Sequence, residues 1–388
     1  MKVLYIVNST SSLGGASKSL LVLLDGLSLK GVHPIVITPD TNGLYNVLKA
    51  RGIQVYSFKY RPNTYPYLNT VTDFLMFIPR IVMRRILSYF ATRKVIKLCK
   101  KDEVQLIHTN VSVIDIGYKA SIKLKIPHIF HFREFCDIDF NEHYYPSKYK
   151  FYKKLEKYGS YSICVTKTVQ EYHKLYGSRS EVIYNGIERS DGGLYDFDKK
   201  RQFLYVGRIE PAKGLMQIID AYNDYRNKIK EPYKLLVVGS ICDKRYYKLV
   251  LNRINQYCLN DNVCFLGERN DVARFMQEVS AIIISSRFEA FGRCMSEAMK
   301  NGCLVIGKNT GGTKEQFDNG LYLTGIEIGL RYETTNDLVC RLIEVTSSSS
   351  HSYTKMKKAA LNTVTELYPI NKYIERVFNF YNKILCDN

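Results

Sequence analysis

Residues 285–299 contain the side chains with the clearest chemical potential in this chain. They read Ser-Ser-Arg-Phe-Glu-Ala-Phe-Gly-Arg-Cys-Met-Ser-Glu-Ala-Met, which predicts a strand ending at Ser286, a short loop holding Glu289 and a helix beginning near Gly292. The N–H groups and partial positive charge at a helix start suit a diphosphate. Glu289, on the loop, and Glu297, early in the helix, can each accept paired hydrogen bonds from vicinal sugar hydroxyls.

Two cations in the same half of the chain can meet such a diphosphate. Arg208 ends a predicted strand in the sequence Val-Gly-Arg, and Lys213 precedes Gly214 at the predicted start of the next helix. Both side chains can therefore reach one phosphate crevice, where they would neutralise a diphosphate and stabilise it as a leaving group. Two surface cations near a helix start are the alternative interpretation.

Glycine pairs follow two other predicted strands. Gly14 and Gly15 open the first helix, where backbone N–H groups can approach a phosphate. The segment lacks Gly-x-Gly-x-x-Gly, and it lacks the second P-loop glycine directly before Lys18, so neither a dinucleotide fingerprint nor a P-loop is supported. Gly311 and Gly312 begin a Gly-Gly-Thr-Lys-Glu loop, for which a plain turn is the alternative to ligand binding.

Alternating strands and helices must position these residues. Apolar runs in the first half predict strands at 2–8, 33–38, 53–58, 104–109, 127–132, 162–166 and 181–184. A second alternating set predicts strands at 202–206, 233–238, 262–266, 281–285 and 304–306. Strands separated by helix-length segments imply right-handed crossovers and parallel sheets.

The pattern therefore predicts an α/β protein with two doubly wound, Rossmann-like domains. We expect them at residues 1–190 and 200–367, joined by a linker near residues 190–200, with an amphipathic helix at 368–388 that packs back on the first domain. The apolar face predicted for this helix consists of Ile374, Val377, Phe378, Tyr381 and Leu385. If the carboxyl ends of the two sheets face each other, the cleft between the domains is the expected active site.

Composition limits the class of protein and its partners. The 388 residues include 46% hydrophobic residues, which indicates a globular chain, and ten scattered cysteines without zinc spacing, which indicate reduced cytosolic thiols. No apolar run is long enough for a signal peptide or a membrane span. Residues 1–190 carry 28 Lys and Arg against 14 Asp and Glu. This excess favours an anionic partner, which can be nucleic acid, an anionic lipid surface or a phosphate-bearing substrate.

The string Glu-Ala-Phe-Gly-x-x-x-x-Glu-Ala-Met at residues 289–299 resembles the signature of the retaining GT-B glycosyltransferases of family four, also called glycosyl transferases group 1. Three further segments agree in order and spacing: Gly-Arg with Lys-Gly at 207–214, Asn-Gly-Ile-Glu at 185–188, and Gly-Gly-x-x-Glu at 311–315. The resemblance covers nearly the whole chain and is densest from residue 185 to residue 315. It implies a GT-B fold of two facing Rossmann-like domains, with the donor held by the second.

The resemblance also implies roles for individual residues. Glu289 would contact the donor sugar and Glu297 the ribose hydroxyls of the nucleotide. The remaining donor contacts would come from Gly14, Gly15, Arg208, Lys213, Phe291, Gly292, Gly311 and Gly312. Gly312 would allow the donor to approach the backbone closely. Ala290 replaces a glycine common in the family, and this difference is expected to crowd the donor pocket.

A histidine at the end of a strand in the first half completes the predicted catalytic set. Family members carry a histidine near the reacting sugar, a role that falls on His131, with His128 as the competing register and a core histidine as the alternative. The catalytic residues expected are thus His131, Glu289, Arg208 and Lys213. Asn110 and Glu134 are assigned to the acceptor side.

Residues 79–101 carry eight basic residues and no acidic one, interleaved with apolar residues. This segment is either an amphipathic helix that lies on an anionic membrane or a solvated basic helix face. The resemblance favours the membrane, because many relatives act on lipid-linked glycans. A peripheral position on the inner face of the membrane is the corresponding expectation for a cytoplasmic protein.

The resemblance implies transfer of a hexosyl or N-acetylhexosaminyl group, with retention, from a UDP- or GDP-sugar to a glycan or lipid-linked acceptor. Bacterial surface polysaccharide assembly is the expected setting. No Asp-x-Asp metal motif is present in the relevant region, so no metal or other cofactor is expected. Two rival functions are a GT-B nucleotide-sugar epimerase and a basic nucleic-acid-binding protein. No carboxylate and histidine set supports the first, and no nucleic-acid-binding motif supports the second.

Overall fold

The computed structural model describes residues 1–8, 14–66, 68, 70–157, 159–188 and 199–387. The chain forms two compact units, one made of Met1–Gly186 with Ile370–Asn388 and the other of Ile187–Pro369. Most of the linker predicted near residues 190–200 lies outside the described residues. Among those described, no helix is both long and apolar enough to cross a bilayer.

The first unit is built on a parallel sheet. Its strands are β1 (Lys2–Ile6), β2 (His33–Thr38), β3 (Gln54–Ser57), β4 (Leu106–Thr109), β5 (His128–Phe132), β6 (Ser160–Cys164) and β7 (Ser180–Val182). Among the described residues they lie in the order β3-β2-β1-β4-β5-β6-β7. From Val3 to Ile6, β1 is fully buried, as expected for a strand in the middle of a sheet with both faces covered.

Helices connect these strands. They are α1 (Gly15–Leu29), α2 (Leu44–Ala50), α3 (Val71–Leu75), α4 (Phe77–Asp102), α5 (Ile116–Leu124), α6 (Asp137–Phe140), α7 (Lys148–Leu155) and α8 (Lys167–His173). Leu20, Leu23, Leu24 and Leu27 recur at helical spacing in α1 and are at most 1% exposed. They belong to one core cluster with Val3, Tyr5 and Val36 of the sheet, which fixes the helix start at Gly15 beside the end of β1.

The second unit repeats this plan. Its strands are β8 (Lys200–Val206), β9 (Lys234–Val238), β10 (Val263–Gly267), β11 (Val279–Ile284), β12 (Leu304–Lys308) and β13 (Leu330–Tyr332). Its helices are α9 (Leu215–Lys228), α10 (Lys244–Gln256), α11 (Val272–Glu278), α12 (Arg293–Lys300), α13 (Gly311–Thr324), α14 (Thr335–Ser347) and α15 (Thr354–Leu367). The strand order in the described part is β10-β9-β8-β11-β12-β13, and all pairs are parallel.

Both sheets reverse their strand order at one point. In the first unit this point lies between β1 and β4, and in the second between β8 and β11. Ligands of open α/β sheets bind outside the carboxyl ends of the strands at such a reversal. The residues that follow β8 and β11 therefore lie at the expected ligand edge of the second unit.

The last helix, α16 (Ile370–Cys386), packs on the first unit beside α1. Its buried residues are Tyr373, Ile374, Val377, Phe380, Tyr381 and Ile384. Three of these match the predicted face, whereas Phe378 and Leu385 are only partly buried and lie at its margin. Gly26 of α1 permits the close approach, since a Cβ atom there would lie 2.0 Å from the Ile374 Cδ1 atom.

Two details differ from the sequence prediction. The short strand β13 was missed because only three residues pair with β12. The Gly-Gly-Thr-Lys-Glu segment is not a loop but the first turn of α13, which begins at Gly311. Helical geometry there is stabilised by Lys314, whose N–H group donates to the carbonyl oxygen of Thr310 at 3.2 Å.

Candidate active site

The ligand edge of the second unit is centred on an ion pair between Lys213 and Glu289. The Lys213 Nζ atom lies 2.7 Å from Glu289 Oε1, and the Ser286 hydroxyl donates to the same oxygen at 2.6 Å. Burial raises the pKa of Glu289, but the charge and hydrogen bond of Lys213 and the hydrogen bond of Ser286 outweigh it. The pKa therefore lies below its ordinary value, and the carboxylate is ionised at neutral pH.

Close backbone contacts position both members of this pair. Lys213 ends a short 3-10 turn, Pro211–Lys213, after which Gly214 adopts a φ of 71°. A Cβ atom on Gly214 would lie 2.1 Å from the carbonyl oxygen of Ser285, so only glycine fits there. The Lys213 carbonyl in turn accepts from the Ser285 hydroxyl at 2.8 Å. These contacts tie the loop after β8 to the loop after β11.

Gly311 and Gly312 hold the loop that carries Glu289. The Gly312 N–H donates to the Glu289 carbonyl at 2.6 Å, and a Cβ atom on Gly312 would lie 2.7 Å from the Ala290 carbonyl oxygen. The close approach that these glycines permit is therefore to the chain's own backbone. The donor approach implied by the resemblance stays a prediction, whereas this packing role is visible in the structure.

The loop ends at Gly292, which caps helix α12 in the left-handed conformation with a φ of 85°. Gln316 of α13 donates from Nε2 to the carbonyl oxygens of Phe291 and Gly292. The Ser296 hydroxyl donates to Gln316 Oε1 at 2.6 Å, which fixes the orientation of that amide. Sequence reasoning missed Gln316 and Ser286, since neither lies at a motif position that the resemblance specifies.

Glu297 lies one turn into α12 and pairs with a cation on its own helix. Its Oε1 atom is 3.1 Å from Arg293 NH2 and 3.2 Å from Arg293 Nε. The side chain remains 30% exposed, so a ligand can reach it. The predicted helix position is confirmed, and Arg293 is an additional cation that the sequence analysis did not assign.

Arg208 lies at the same edge and is 46% exposed. Its NH2 atom is 2.8 Å from Glu210 Oε1, and its charge contributes to the lowered pKa of Glu289. Each predicted phosphate-binding cation thus faces a carboxylate of the protein. Gly239, after β9, was not predicted; a Cβ atom there would lie 1.8 Å from the Gly207 carbonyl oxygen, so glycine is required for the strand ends to meet.

The predicted site residues of the first unit include His131, which lies one residue before the end of β5. His131 is fully buried, and its Nδ1 atom lies 3.1 Å from His108 Nε2. The Nδ1 atom of His108 is hydrogen-bonded to the Tyr381 hydroxyl of α16, which donates to the Tyr5 hydroxyl at 3.2 Å. The Nε2 atom of His131 is buried and has no hydrogen-bond partner among the described residues.

Arg133 lies beside this histidine and donates hydrogen bonds to three other residues of the first unit. Its Nε atom donates to Asn110 Oδ1 at 3.0 Å, its NH1 to Asn185 Oδ1 at 2.7 Å, and its NH2 to the Tyr373 hydroxyl at 3.1 Å. The same NH2 atom lies 3.3 Å from His131 Nδ1. Asn110, predicted on the acceptor side, thus accepts a hydrogen bond from Arg133 in this structure.

The first unit contains four buried histidines: His108, His128, His131 and His173. Burial, assisted by the charge of Arg133, lowers the pKa of His108 and His131 well below the ordinary value. Burial lowers the pKa of His128 to about 3 and that of His173 to about 4. His128 begins β5, where its Nε2 atom is 2.8 Å from the Thr109 hydroxyl, so it lies at the opposite end of the strand from His131.

Glu134 is also buried, just after β5. Its Oε1 atom accepts from the Ser112 N–H at 2.7 Å and from the Ser112 hydroxyl at 2.6 Å. Burial outweighs these hydrogen bonds and raises the pKa of Glu134 to about 7. Burial likewise raises the pKa of Asp139 to about 6.

Gly14 and Gly15 begin α1 at the ligand edge of the first sheet. Gly14 is the N-cap residue in an extended conformation, and no side chain caps the helix. Residues 9–13, which connect β1 to this position, lie outside the described residues. In the part of the chain that is described, no group of three His, Cys, Asp or Glu residues could hold a metal ion.

Comparison with protein families matches both units. The family model described as "Glycosyl transferases group 1" matches residues 189–362, and the model described as "Glycosyltransferase Family 4" matches residues 13–191. Together the two matches cover most of the chain, and they meet close to the boundary between the two units.

Curated relatives are distant. The chain is 24% identical over 228 residues to "Capsular polysaccharide biosynthesis glycosyltransferase CapH" of Staphylococcus aureus, covering 56% of this chain and 62% of the relative. It is 27% identical over 213 residues to "Trehalose synthase" of Thermococcus litoralis, covering 53% and 48%. The matched region thus spans about half to two thirds of the length of these relatives.

Solved structures share the fold over the full length. "Crystal structure of Anabaena Alr3699/HepE in complex with UDP and glucose" has a TM-score of 0.76 at 18% identity, covering 99% of this chain and 100% of the other. The sucrose-phosphate synthase of Thermosynechococcus elongatus has a TM-score of 0.75 at 16% identity, and both chains are fully covered. At such identities the similarity shows the fold alone.

The four buried histidines predict how stability depends on pH. Their pKa in the folded state lies below the unfolded value. Below about pH 6.5 the unfolded chain therefore binds more protons than the folded chain, and the free energy of unfolding decreases as the pH is lowered. Glu134 and Asp139, whose pKa is raised, act in the opposite direction. We expect a net loss of about 2 kcal/mol between about pH 6.5 and about pH 5.5, measured by urea unfolding. His128→Asn should reduce this loss by about 1 kcal/mol, and an equal loss in both proteins would contradict the assignment.

The hydrogen-bond chain predicts the tautomer of His131. The Tyr381 hydroxyl donates its proton to Tyr5, so it accepts a hydrogen bond from Nδ1–H of His108. His108 is then unprotonated at Nε2, and this atom accepts a hydrogen bond from Nδ1–H of His131. His131 therefore carries its proton on Nδ1, and its Nε2 atom is unprotonated. Tyr381→Phe removes the hydroxyl that sets the direction of this hydrogen-bond chain. The charge of Arg133 beside Nδ1 of His131 then favours a proton on Nε2 of His131.

We therefore expect ¹⁵N NMR of the imidazoles to show an Nδ1–H His131 in the wild type and an Nε2–H His131 in Tyr381→Phe. Tyr60→Phe, which removes another buried hydroxyl of this unit, is the matched control and should keep the wild-type tautomer. The same tautomer in all three proteins would show that Tyr381 does not set it.

Proposed function

This chain belongs to the group 1 glycosyltransferases of the GT-B fold, and on that premise we propose that it transfers a sugar, with retention, from a UDP- or GDP-sugar to a glycan or lipid-linked glycan. The single observation that carries the proposal is the Lys213–Glu289 ion pair beside the helix start at Gly292. The setting that we propose is bacterial surface polysaccharide assembly. The name of the Staphylococcus aureus relative, a capsular polysaccharide glycosyltransferase, supports this setting.

The donor sugar and diphosphate fit the charges at this edge. When a diphosphate binds, Lys213 exchanges the Glu289 carboxylate for a phosphate oxygen. Glu289 is then released to accept hydrogen bonds from the sugar hydroxyls. Arg208 supplies the second positive charge, and the N–H groups at the start of α12 supply further donors. A solved relative in complex with UDP and glucose supports a nucleotide sugar as the ligand.

These residues also account for the chemistry that we propose. Positive charge on Arg208 and Lys213 stabilises the nucleoside diphosphate as it leaves, so no metal or other cofactor is required. The departing phosphate would help to deprotonate the acceptor hydroxyl on the same face of the sugar, and His131 would lie near the reacting sugar. Glu297 would hold the ribose hydroxyls, after exchanging Arg293 for them.

Two other functions lead to different measurements. A nucleotide-sugar epimerase would convert the donor in the absence of an acceptor, so an epimerised nucleotide sugar as the product would replace the transferase proposal. A nucleic-acid-binding protein would show salt-sensitive binding to DNA and no affinity for nucleotide sugars. The ion pair and the helix start favour a nucleotide-sugar ligand over nucleic acid, and the match to the group 1 glycosyltransferases favours a transferase over an epimerase.

An anionic membrane surface is the further partner that we propose, through residues 79–101. All eight cations of this segment lie on the single helix α4, which contains no acidic residue before its last position, Asp102. Such a surface would bring the enzyme to a lipid-linked acceptor.

Glu297 provides the test of the donor site. We expect Glu297→Ala to abolish the thermal stabilisation that the wild type gains from the best ligand in a panel of UDP-, GDP- and ADP-sugars. At about 100 times its Kd a ligand adds about 2.7 kcal/mol to the free energy of unfolding, which is readily measured. The melting temperature without ligand should change little, because Glu297 is partly exposed and its pair lies within one helix.

Glu278→Ala is the matched control for this experiment. Glu278 also pairs with an arginine one turn away on its own helix, Arg274 at 2.9 Å, and in addition with Lys200 of β8 at 2.6 Å, but it precedes β11 and so lies at the opposite edge of the sheet. It should retain the full ligand shift. The donor proposal fails if no nucleotide sugar stabilises the wild type, or if Glu297→Ala and Glu278→Ala respond alike.

A further inference from the structure

Helix α4 is buried along one face and only from Ser88 onward. Its buried residues are Ser88, Ala91, Val95, Leu98 and Cys99. Their spacing of three and four residues defines a single stripe that packs against α5 and its neighbours. In α3 and in the first eleven residues of α4, no described residue is buried.

This uncovered part of the molecule is apolar. The exposed large hydrophobic residues of α3, α4 and the residue between them are Val71, Phe74, Leu75, Met76, Ile78, Val82, Met83, Ile86, Tyr89 and Phe90, at 44–78% exposure. We call these ten residues the apolar stripe. Single exposed hydrophobic residues are ordinary, but a contiguous set of this size marks an interaction site.

Three of the eight cations of α4, Arg80, Arg84 and Arg85, lie among the residues of the apolar stripe, as the sequence suggested. Arg93, Lys94, Lys97, Lys100 and Lys101 are exposed and follow the stripe along the helix. Arg93 lies four residues beyond Tyr89, and Lys97 lies seven residues beyond Phe90, so both continue the same helix face. The exposed face is thus mainly apolar up to Phe90, with the exposed Arg85 among the stripe residues, and positively charged beyond it.

The two arginines nearest the start of the helix have partners within the protein. Arg80 pairs with Asp73 of α3 at 2.6 Å, and Arg84 donates from NH1 to the Thr64 carbonyl. These contacts hold the start of α4 and the short helix α3 against the unit. The apolar stripe is therefore presented on an anchored element.

The positive charges beside the apolar stripe indicate what kind of partner covers this face of α4. The end of the face that follows the apolar stripe is a cluster of five cations, so the complementary surface is apolar over one part and anionic beside it. A lipid bilayer with anionic headgroups has this arrangement. A second copy of the chain does not, because a two-fold axis through the apolar stripe would set stripe against stripe and leave the five cations without an anionic surface.

We infer that the apolar stripe inserts into an anionic bilayer while the five cations of the second half of α4 lie on its headgroups. This inference rests on the membrane association proposed above and adds the residues that enter the lipid, half of which lie before the basic segment. It does not depend on which sugar is transferred.

The chain contains no tryptophan, so one introduced tryptophan reports its own environment without background. Phe74→Trp and Phe90→Trp place the reporter in the apolar stripe, and Tyr322→Trp places it at a residue that is 94% exposed in the second unit. With full-length protein and vesicles containing phosphatidylglycerol, we expect the first two to shift emission to shorter wavelength and to be quenched by brominated acyl chains. The Tyr322→Trp reporter should do neither.

Substitutions separate insertion from electrostatic attraction. In vesicle flotation, Phe74→Ser with Phe90→Ser should lower binding by about ten-fold or more, because two large apolar side chains no longer enter the lipid. Lys97→Gln with Lys101→Gln should lower binding to phosphatidylglycerol vesicles in low salt, and phosphatidylcholine vesicles should bind the wild type weakly. Lys244→Gln with Lys248→Gln, in the second unit, is the matched charge control and should bind as the wild type does.

Each other result decides against part of the inference. If the wild type floats with anionic vesicles but the tryptophan reporters stay unquenched and the serine variant binds normally, the protein associates with membranes without insertion and the inference is wrong. If no vesicle binds the wild type, membrane association and insertion both fail, while the nucleotide-sugar shift still tests the donor site independently. A wild type that dimerises in solution, with a dimer lost in the serine variant, would assign the stripe to self-association.

Discussion

The ion pair between Lys213 and Glu289 is the interaction on which the candidate donor site depends. It joins the loop after β8 to the loop after β11, the two strands between which the order of the second sheet reverses. Because opposite charges at this distance stabilise each other, the pKa of Glu289 is lowered and its carboxylate is ionised at neutral pH. The glycines around the pair have a structural purpose of their own, since Gly214 allows these two loops to touch and Gly312 allows the start of α13 to touch the loop after β11.

The first unit depends on a different kind of constraint, a buried polar network. Arg133 contacts two asparagines and a tyrosine of α16, and the histidine pair beside it ends on a second tyrosine of that helix. Buried groups of this kind are costly unless they are paired, so the last helix stabilises the unit by completing the network as well as by its apolar face. Among the buried imidazole nitrogen atoms of the described residues, only Nε2 of His131 and Nδ1 of His128 lack hydrogen-bond partners.

Much of the fold follows from the sequence, because strands of parallel sheets are local apolar runs whose periodicity does not depend on their neighbours. Twelve of the strands were predicted within a few residues, and β13 was missed because it is short. The site was predicted where a motif specifies it, at Glu289, Glu297, Arg208 and Lys213. Ser286, Gln316 and Arg293 were not predicted, because their importance comes from hydrogen bonds to the motif residues and not from a pattern of their own.

By itself, the sequence determined the two α/β units, the glycosyltransferase family and the residues that carry the donor motif, since each is a matter of short-range spacing. Tertiary structure alone decided which polar groups meet across the chain, as in the contact between His108 and Tyr381, which are 273 residues apart. It also decided that the start of α4 exposes apolar residues. A helix has several faces, and the one that is buried depends on the neighbours that cover it, which no local pattern records.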